Sequence, residues 1–203
     1  MLRCVLVTLL IQAAMAITVY NLHHEVPDEV KSKIQALVDE VISQKKNESS
    51  KDKDGNSLKI RVDNGKEGGE RTTRLEQFYE GIKVDMGEVI RQQFSNGESR
   101  LNGKFVDGLK QEIGEVKVSL YDPQAKLREL KEKDLAKKPG HKASHEEAHL
   151  VVHINENRDK ATLAYYITYA LDGPDRSVPV YVIDPKTGEQ LLYYDNHQTG
   201  SMF

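Results

Sequence analysis

His145-Glu146-Glu147-Ala148-His149-Leu150-Val151-Val152-His153-Ile154 can be a helix or a strand, and the two alternatives give different proteins. Its first five residues fit the zinc-peptidase pattern H-E-x-x-H. That chemistry needs a helix, where positions i and i+4 share a face and both imidazoles can reach one zinc ion. In a strand the same two positions stand roughly 13 Å apart and cannot share it. The surroundings favour the strand. Pro139-Gly140 lies just upstream, and Leu150, Val152 and Ile154 alternate with His149, Val151 and His153. The stretch about twenty residues on, where a third ligand is due, itself reads as a strand. His145, Glu146 and His149 are therefore the catalytic candidates of this chain, set aside as a chance match, and neither a metal nor another cofactor is expected. His141, His145, His149 and His153 would form a metal-binding stripe on a helix; on a loop and strand they are exposed imidazoles on a polar face.

Outward from this stretch the strand pattern continues. Leu163, Tyr165, Ile167 and Tyr169 alternate within Ala161 to Ala170. Val178 to Ile183 and Gln190 to Tyr194 flank Asp184-Pro185-Lys186-Thr187-Gly188, a turn with proline early and glycine late. Four strands joined this way make an antiparallel sheet. A helix capped by Asp122, with Pro123 in its first turn and Leu127 and Leu130 on one side, is placed to cover one face.

Upstream, Arg71 to Leu109 reads as further strands. Thr73, Leu75, Gln77 and Tyr79 alternate with Arg74, Glu76 and Phe78; Gly81 breaks the run, and Asn96-Gly97 signals a hairpin between Val89–Phe94 and Ser99–Phe105. Val26 to Lys46 reads as an amphipathic helix with Val30, Ile34, Leu37, Val38, Val41 and Ile42 on one face, Pro27 suited to its first position and Lys45 and Lys46 at its end. Asn47 to Gly69 is charge-rich, with turn signals at Gly55 and Gly68-Gly69, and leaves room for one short strand, Leu58 to Val62. Val116 to Leu135 carries the second helix, and Lys137 to Ser144 reads as a loop. The expected fold is α+β: two consecutive antiparallel sheets, each packed by a helix, over residues 17–110 and 111–203.

Residues 1–16 read as a signal peptide. Arg3 is the positive end, Cys4 to Ala14 is apolar, and Ala14-Met15-Ala16 supplies the small residues a signal peptidase accepts. Cleavage after Ala16 would remove the only cysteine among 203 residues, so no disulfide framework is expected in a secreted product. Asn47-Glu48-Ser49 is a glycosylation sequon, with Asn47 the acceptor. A formal net charge of -3, with 29 basic and 32 acidic residues, leaves no basic excess for nucleic acid. No apolar run reaches the roughly 18 to 20 residues a membrane-spanning helix needs. Phosphate-binding glycine loops and a G-x-S-x-G nucleophile are missing from the sequence.

Thr73-Arg74-Leu75-Glu76-Gln77-Phe78-Tyr79-Glu80-Gly81-Ile82-Lys83-Val84 resembles the core motif of the fungalysin/thermolysin propeptide (FTP), continued by Glu88-Val89-Ile90 and Leu101 to Phe105. The segments Leu150 to Val152, Leu163 to Tyr165 and Tyr181 to Glu189 resemble the PepSY module that follows it in thermolysin-like precursors. The chain departs from that pattern at Thr72, Asp85 and Met86. The resemblance implies an FTP-like domain followed by a PepSY/cystatin-like one. It also implies a prodomain that helps fold, and temporarily inhibits, a secreted thermolysin-like zinc metallopeptidase, in cis or in trans. Arg74, Gln77, Tyr79, Gly81, Val84, Asp184 and Gly188 would then be structural. Tyr193, Tyr194, Asp195 and Asn196, with the rest of the tail and the Asp184–Gly188 turn, would face the enzyme. In the protease precursors a catalytic domain follows, whereas this sequence stops at Phe203, so it reads either as a free-standing prodomain or as the propeptide region of a longer precursor.

Overall fold

In the computed structural model, the structure describes residues 17–43, 48–65 and 70–196. The signal-peptide reading, Lys45, Lys46, Asn47, the Gly68-Gly69 turn and the tail from residue 197 lie outside those residues.

The apolar stripe of the first helix winds as α1 (Asp28–Ser43), with Val30, Ile34, Leu37, Val38 and Val41 buried. Pro27 stands one residue before the helix, and its carbonyl accepts the first helical bond from the Lys31 N–H at 3.0 Å. A short strand, β1 (Thr18–Asn21), precedes it. Four long strands follow: β2 (Asn56–Gly65), β3 (Arg71–Tyr79), β4 (Ile82–Gln93) and β5 (Ser99–Asp107). The alternation in β3 is as the sequence reads it, with Thr73, Leu75, Gln77 and Tyr79 buried. Glu80 (φ 49°) and Gly81 (φ 81°) close the β3–β4 hairpin. Two consecutive positive φ angles are what a tight two-residue hairpin demands, and glycine supplies one without a Cβ clash.

After a one-turn helix, α2 (Leu109–Glu112), and a 3-10 turn at Val118–Leu120 comes α3 (Pro123–Lys137). The Asp122 carboxylate accepts the Ala125 N–H at 2.9 Å, the expected cap. The remaining strands are β6 (Lys142–Ile154), β7 (Ala161–Asp172), β8 (Pro179–Ile183) and β9 (Gln190–Asp195), each antiparallel to the next. β6 thus begins within the stretch that the sequence reads as a loop.

The expectation of two antiparallel sheets is overturned. The described residues form one nine-stranded, curled, mixed sheet in a mostly β protein. The join is parallel: Lys83 and Val84 of β4 pair with Val151 and Val152 of β6. One edge of β4 pairs with β3. Its other edge is divided, pairing with β6 over Lys83–Val84 and with β5 over Glu88–Gln93. Such a parallel contact between strands nearly seventy residues apart leaves no local signal in the chain.

The three α-helices among the described residues pack on one face of this sheet. α1 covers Leu58, Leu75, Val89 and Phe105. Leu109 of α2 joins Tyr79, Val84, Val152 and Leu163 across the β4–β6 join. α3 lays Leu127 and Leu130 on Ile167, Tyr169, Leu171 and Tyr181. Two polar devices lock the first half. The Lys33 ammonium of α1 lies 3.3 Å from Asp52, 3.0 Å from Asp54 and 2.9 Å from Asp107. The fully buried Gln77 carboxamide donates to the Val106 carbonyl (2.7 Å) and to Asn56 Oδ1 (3.0 Å), and accepts the Val106 N–H (2.8 Å).

Candidate functional site

The H-E-x-x-H residues sit in β6, and the strand sends them apart. His145 has φ 50° and lies in a bulge that shifts the β6–β7 register between Ser144 and Glu147. Its side chain is exposed. Glu146 turns toward the helices, where both carboxylate oxygens accept from the Lys131 ammonium of α3, at 2.7 and 2.9 Å. His149 turns to the opposite face and stacks on Tyr166, centroids 5.0 Å apart. Among the described residues no group of three or more His, Cys, Asp or Glu is arranged to hold a metal ion.

The four-residue histidine series is not simply an exposed row. His153 is only 13% exposed, its Nδ1 3.2 Å from Asp85 of β4, and His141 Nε2 lies 3.2 Å from the Asp175 carbonyl. His149 is half-buried, with Nδ1 3.3 Å from Glu147. The surface reading fits His145 alone, because the others are drawn into contacts with neighbouring strands and loops that no local pattern announces.

The sheet face opposite the helices is the candidate site. Lys83 and Asp85 come from β4, Glu147, His149, Val151 and His153 from β6, Tyr166 from β7, Val182 from β8, and Leu192 and Tyr194 from β9. Period-two alternation puts them on one side. Val151, Ala164 and Val182 form a small apolar floor there, flanked by Tyr166, Leu191 and Leu192. Above it opens a cavity of about 250 Å³. Burial pushes the His149 imidazole below its usual pKa, with Glu147 opposing the shift and Lys83 adding to it. Lys83 is itself held by Glu76, at 2.8 Å. Burial raises the Tyr166 phenol, helped by Tyr194 and by the Glu147 and Asp85 carboxylates.

A second polar cluster lies between α3 and the other face. Tyr169 and Tyr181 both donate to Asp134 Oδ2, at 2.7 and 2.6 Å, and Tyr193 packs on Tyr181 with centroids 5.0 Å apart. Burial and the carboxylate raise both phenols well above the ordinary tyrosine range. Asp134→Ala would leave two buried hydroxyls unpaired. It is expected to cost about 3 kcal/mol in urea unfolding, whereas Asp134→Asn, which keeps an acceptor, costs less.

The motif residues fall mainly into the scaffold. Gln77 bridges β5, the Tyr79 hydroxyl donates to the Gly114 carbonyl at 2.6 Å, Gly81 makes the hairpin, and Val84 is in the core. Arg74 is exposed and reaches Glu88 at 3.2 Å. The Asp184 carboxylate accepts the Lys186 and Thr187 N–H groups, and the Gly188 N–H closes the turn on the Asp184 carbonyl. Tyr193 and Tyr194 are 48% and 42% exposed, but alternation sends them to opposite faces. Asp195 and Asn196 tie the end of β9 back to Val178. Sequence reasoning missed Asp85 and Tyr166. The only hint of them is that each neighbours a core residue in an alternating run.

No family model matches the chain. A 137-residue stretch is 28% identical to the "Neutral protease" of Vibrio proteolyticus, covering 64% of this chain and 22% of that protein. Among solved structures, the Bacillus megaterium YpeB C-terminal domain matches 68% of this chain and 56% of that one, at 13% identity and a TM-score of 0.31. The chain therefore spans about a fifth of the length of the neutral protease, to which it is similar in part.

Proposed function

We propose that this is a secreted, prodomain-like protein that inhibits, assists the folding of, or does both to a thermolysin-like zinc metallopeptidase, with no catalytic chemistry of its own. The observation that carries this reading is the similarity of 64% of the chain to a minor part of a neutral protease. The architecture is compatible with it. The described helices occupy one face of the sheet, and none of them covers the other, where Val151, Ala164 and Val182 are packed by Tyr166, Leu191 and Leu192. No helix among the described residues is long and apolar enough to cross a membrane. A prodomain acting in trans lacks the effective concentration a covalent link supplies, so it needs an adequate surface of its own.

Two measurements on one preparation test this. The chain is titrated into a thermolysin-like neutral peptidase while peptide hydrolysis is followed. It is also added to the denatured peptidase during refolding. Slower hydrolysis or a higher yield of active enzyme is expected; neither effect across several such peptidases would overturn the reading. The partial coverage of the neutral protease also favours a second reading, in which these residues are the propeptide region of a longer precursor. Sequencing the transcript beyond the Phe203 codon separates the two.

A further inference from the structure

We propose that the cavity on the open sheet face receives an arginine side chain presented by a protein partner. Its walls combine aromatic faces with acid. The stacked His149–Tyr166 pair and Tyr194 offer flat rings, and Asp85 and Glu147 come in from two different strands. The lysine in the lining is already matched, since Lys83 sits 2.8 Å from Glu76 on the neighbouring strand. Each cavity carboxylate meets only an imidazole among the described ion pairs, Glu147 at His149 and Asp85 at His153. The fixed charge facing the cavity is thus acidic, and the apolar floor of Val151 and Val182 suits the methylene stem of a long side chain. A guanidinium matches these features together. Its plane stacks on tyrosine while its edges donate to carboxylates on either side, whereas an ammonium is a compact, strongly hydrated point charge.

The cavity chemistry stands apart from the identity of the partner; its use against a peptidase rests on the reading above. The direct test contains no peptidase. N-acetyl-arginine amide is titrated into the full chain while the ring signals of Tyr166, Tyr194 and His149 are followed by NMR, with N-acetyl-lysine amide and N-acetyl-glutamate amide in parallel. The arginine probe is expected to shift all three rings, with a dissociation constant on the order of millimolar. The lysine probe should bind several-fold more weakly, and the glutamate probe should leave the rings unmoved. Asp85 and Glu147 side chains are 48% and 60% exposed, so Asp85→Asn with Glu147→Gln should keep the fold while weakening the arginine probe about tenfold. Unmoved rings, equal responses to arginine and lysine, or undiminished binding by the double variant would overturn the proposal. Where the wild-type chain inhibits a peptidase, the double variant should inhibit less. Equal inhibition would overturn the arginine contact while leaving the prodomain reading intact.

Discussion

Replacing Gln77 with leucine is expected to lower the unfolding free energy by about 4 kcal/mol, measured by urea denaturation at pH 7. The cause is hydrogen bonding rather than volume. Beyond the point where β5 leaves β4, the Gln77 carboxamide stands in for a missing strand by pairing with both the N–H and the carbonyl of Val106. It also donates to Asn56 Oδ1. Leucine would leave all three groups dry and unpartnered. Gln77→Glu separates bonding from packing. Its carboxylate can still accept from Val106 but cannot donate to the carbonyl. Burial against that carbonyl raises its pKa, so the variant should regain stability relative to wild type as pH falls and the carboxyl becomes a donor again. Gly87→Ala should reproduce part of the loss, because a Cβ there would lie 2.7 Å from the Gln77 Cβ and 2.8 Å from its Oε1.

Removing the Lys33 ammonium, as in Lys33→Met, is expected to cost about 3 kcal/mol and to lower the melting temperature by calorimetry. Three carboxylates from two segments converge on this cation, whose side chain is 16% exposed. Without it Asp52, Asp54 and Asp107 repel one another where water solvates them poorly. Burial alone would depress the Lys33 pKa, yet the bonds it donates to Asp107 and Asp54 outweigh it and hold the ammonium well above its ordinary value. Its contribution is therefore complete at neutral pH and is lost only in strong alkali. The acid limb has the opposite sign. The Lys33 hydrogen bond lowers the Asp54 pKa, and the Arg71 bond lowers that of Asp63. Both contributions are complete above the ordinary carboxylate pKa of about 4 and disappear as pH falls through the lowered folded values. Stability should therefore fall below about pH 4, and Lys33→Met should flatten that dependence.

What the sequence discloses here is what is decided within a dozen residues. The Glu80-Gly81 and Asn96-Gly97 hairpins, the Asp122 cap and the apolar stripe of α1 all follow from neighbours in the chain, and the structure has them. The extended state of Ala148–Ile154 was legible in the same way, and with it the separation of His149 from Glu146. What joins the halves was not. The pairing of Lys83–Val84 with Val151–Val152 depends on two strands meeting in space, so the two-sheet expectation failed there. The bulge at His145 and the contact of His153 with Asp85 are hidden for the same reason. The candidate cavity was illegible as a site, since its members come from five strands and the motifs that include His149 and Lys83 say nothing of their meeting Tyr166 or Tyr194.

At Lys83 and over Glu88–Gln93, β4 is paired along both edges, with β3 on one side and with β6 or β5 on the other, so the amides there have no margin from which solvent can enter. Tearing the molecule at either flank leaves the opposite flank still holding this strand. Deuterium should accordingly replace protons on Lys83 and Val89–Gln93 later than on β1 or β9, and at rates that follow global denaturation rather than local breathing.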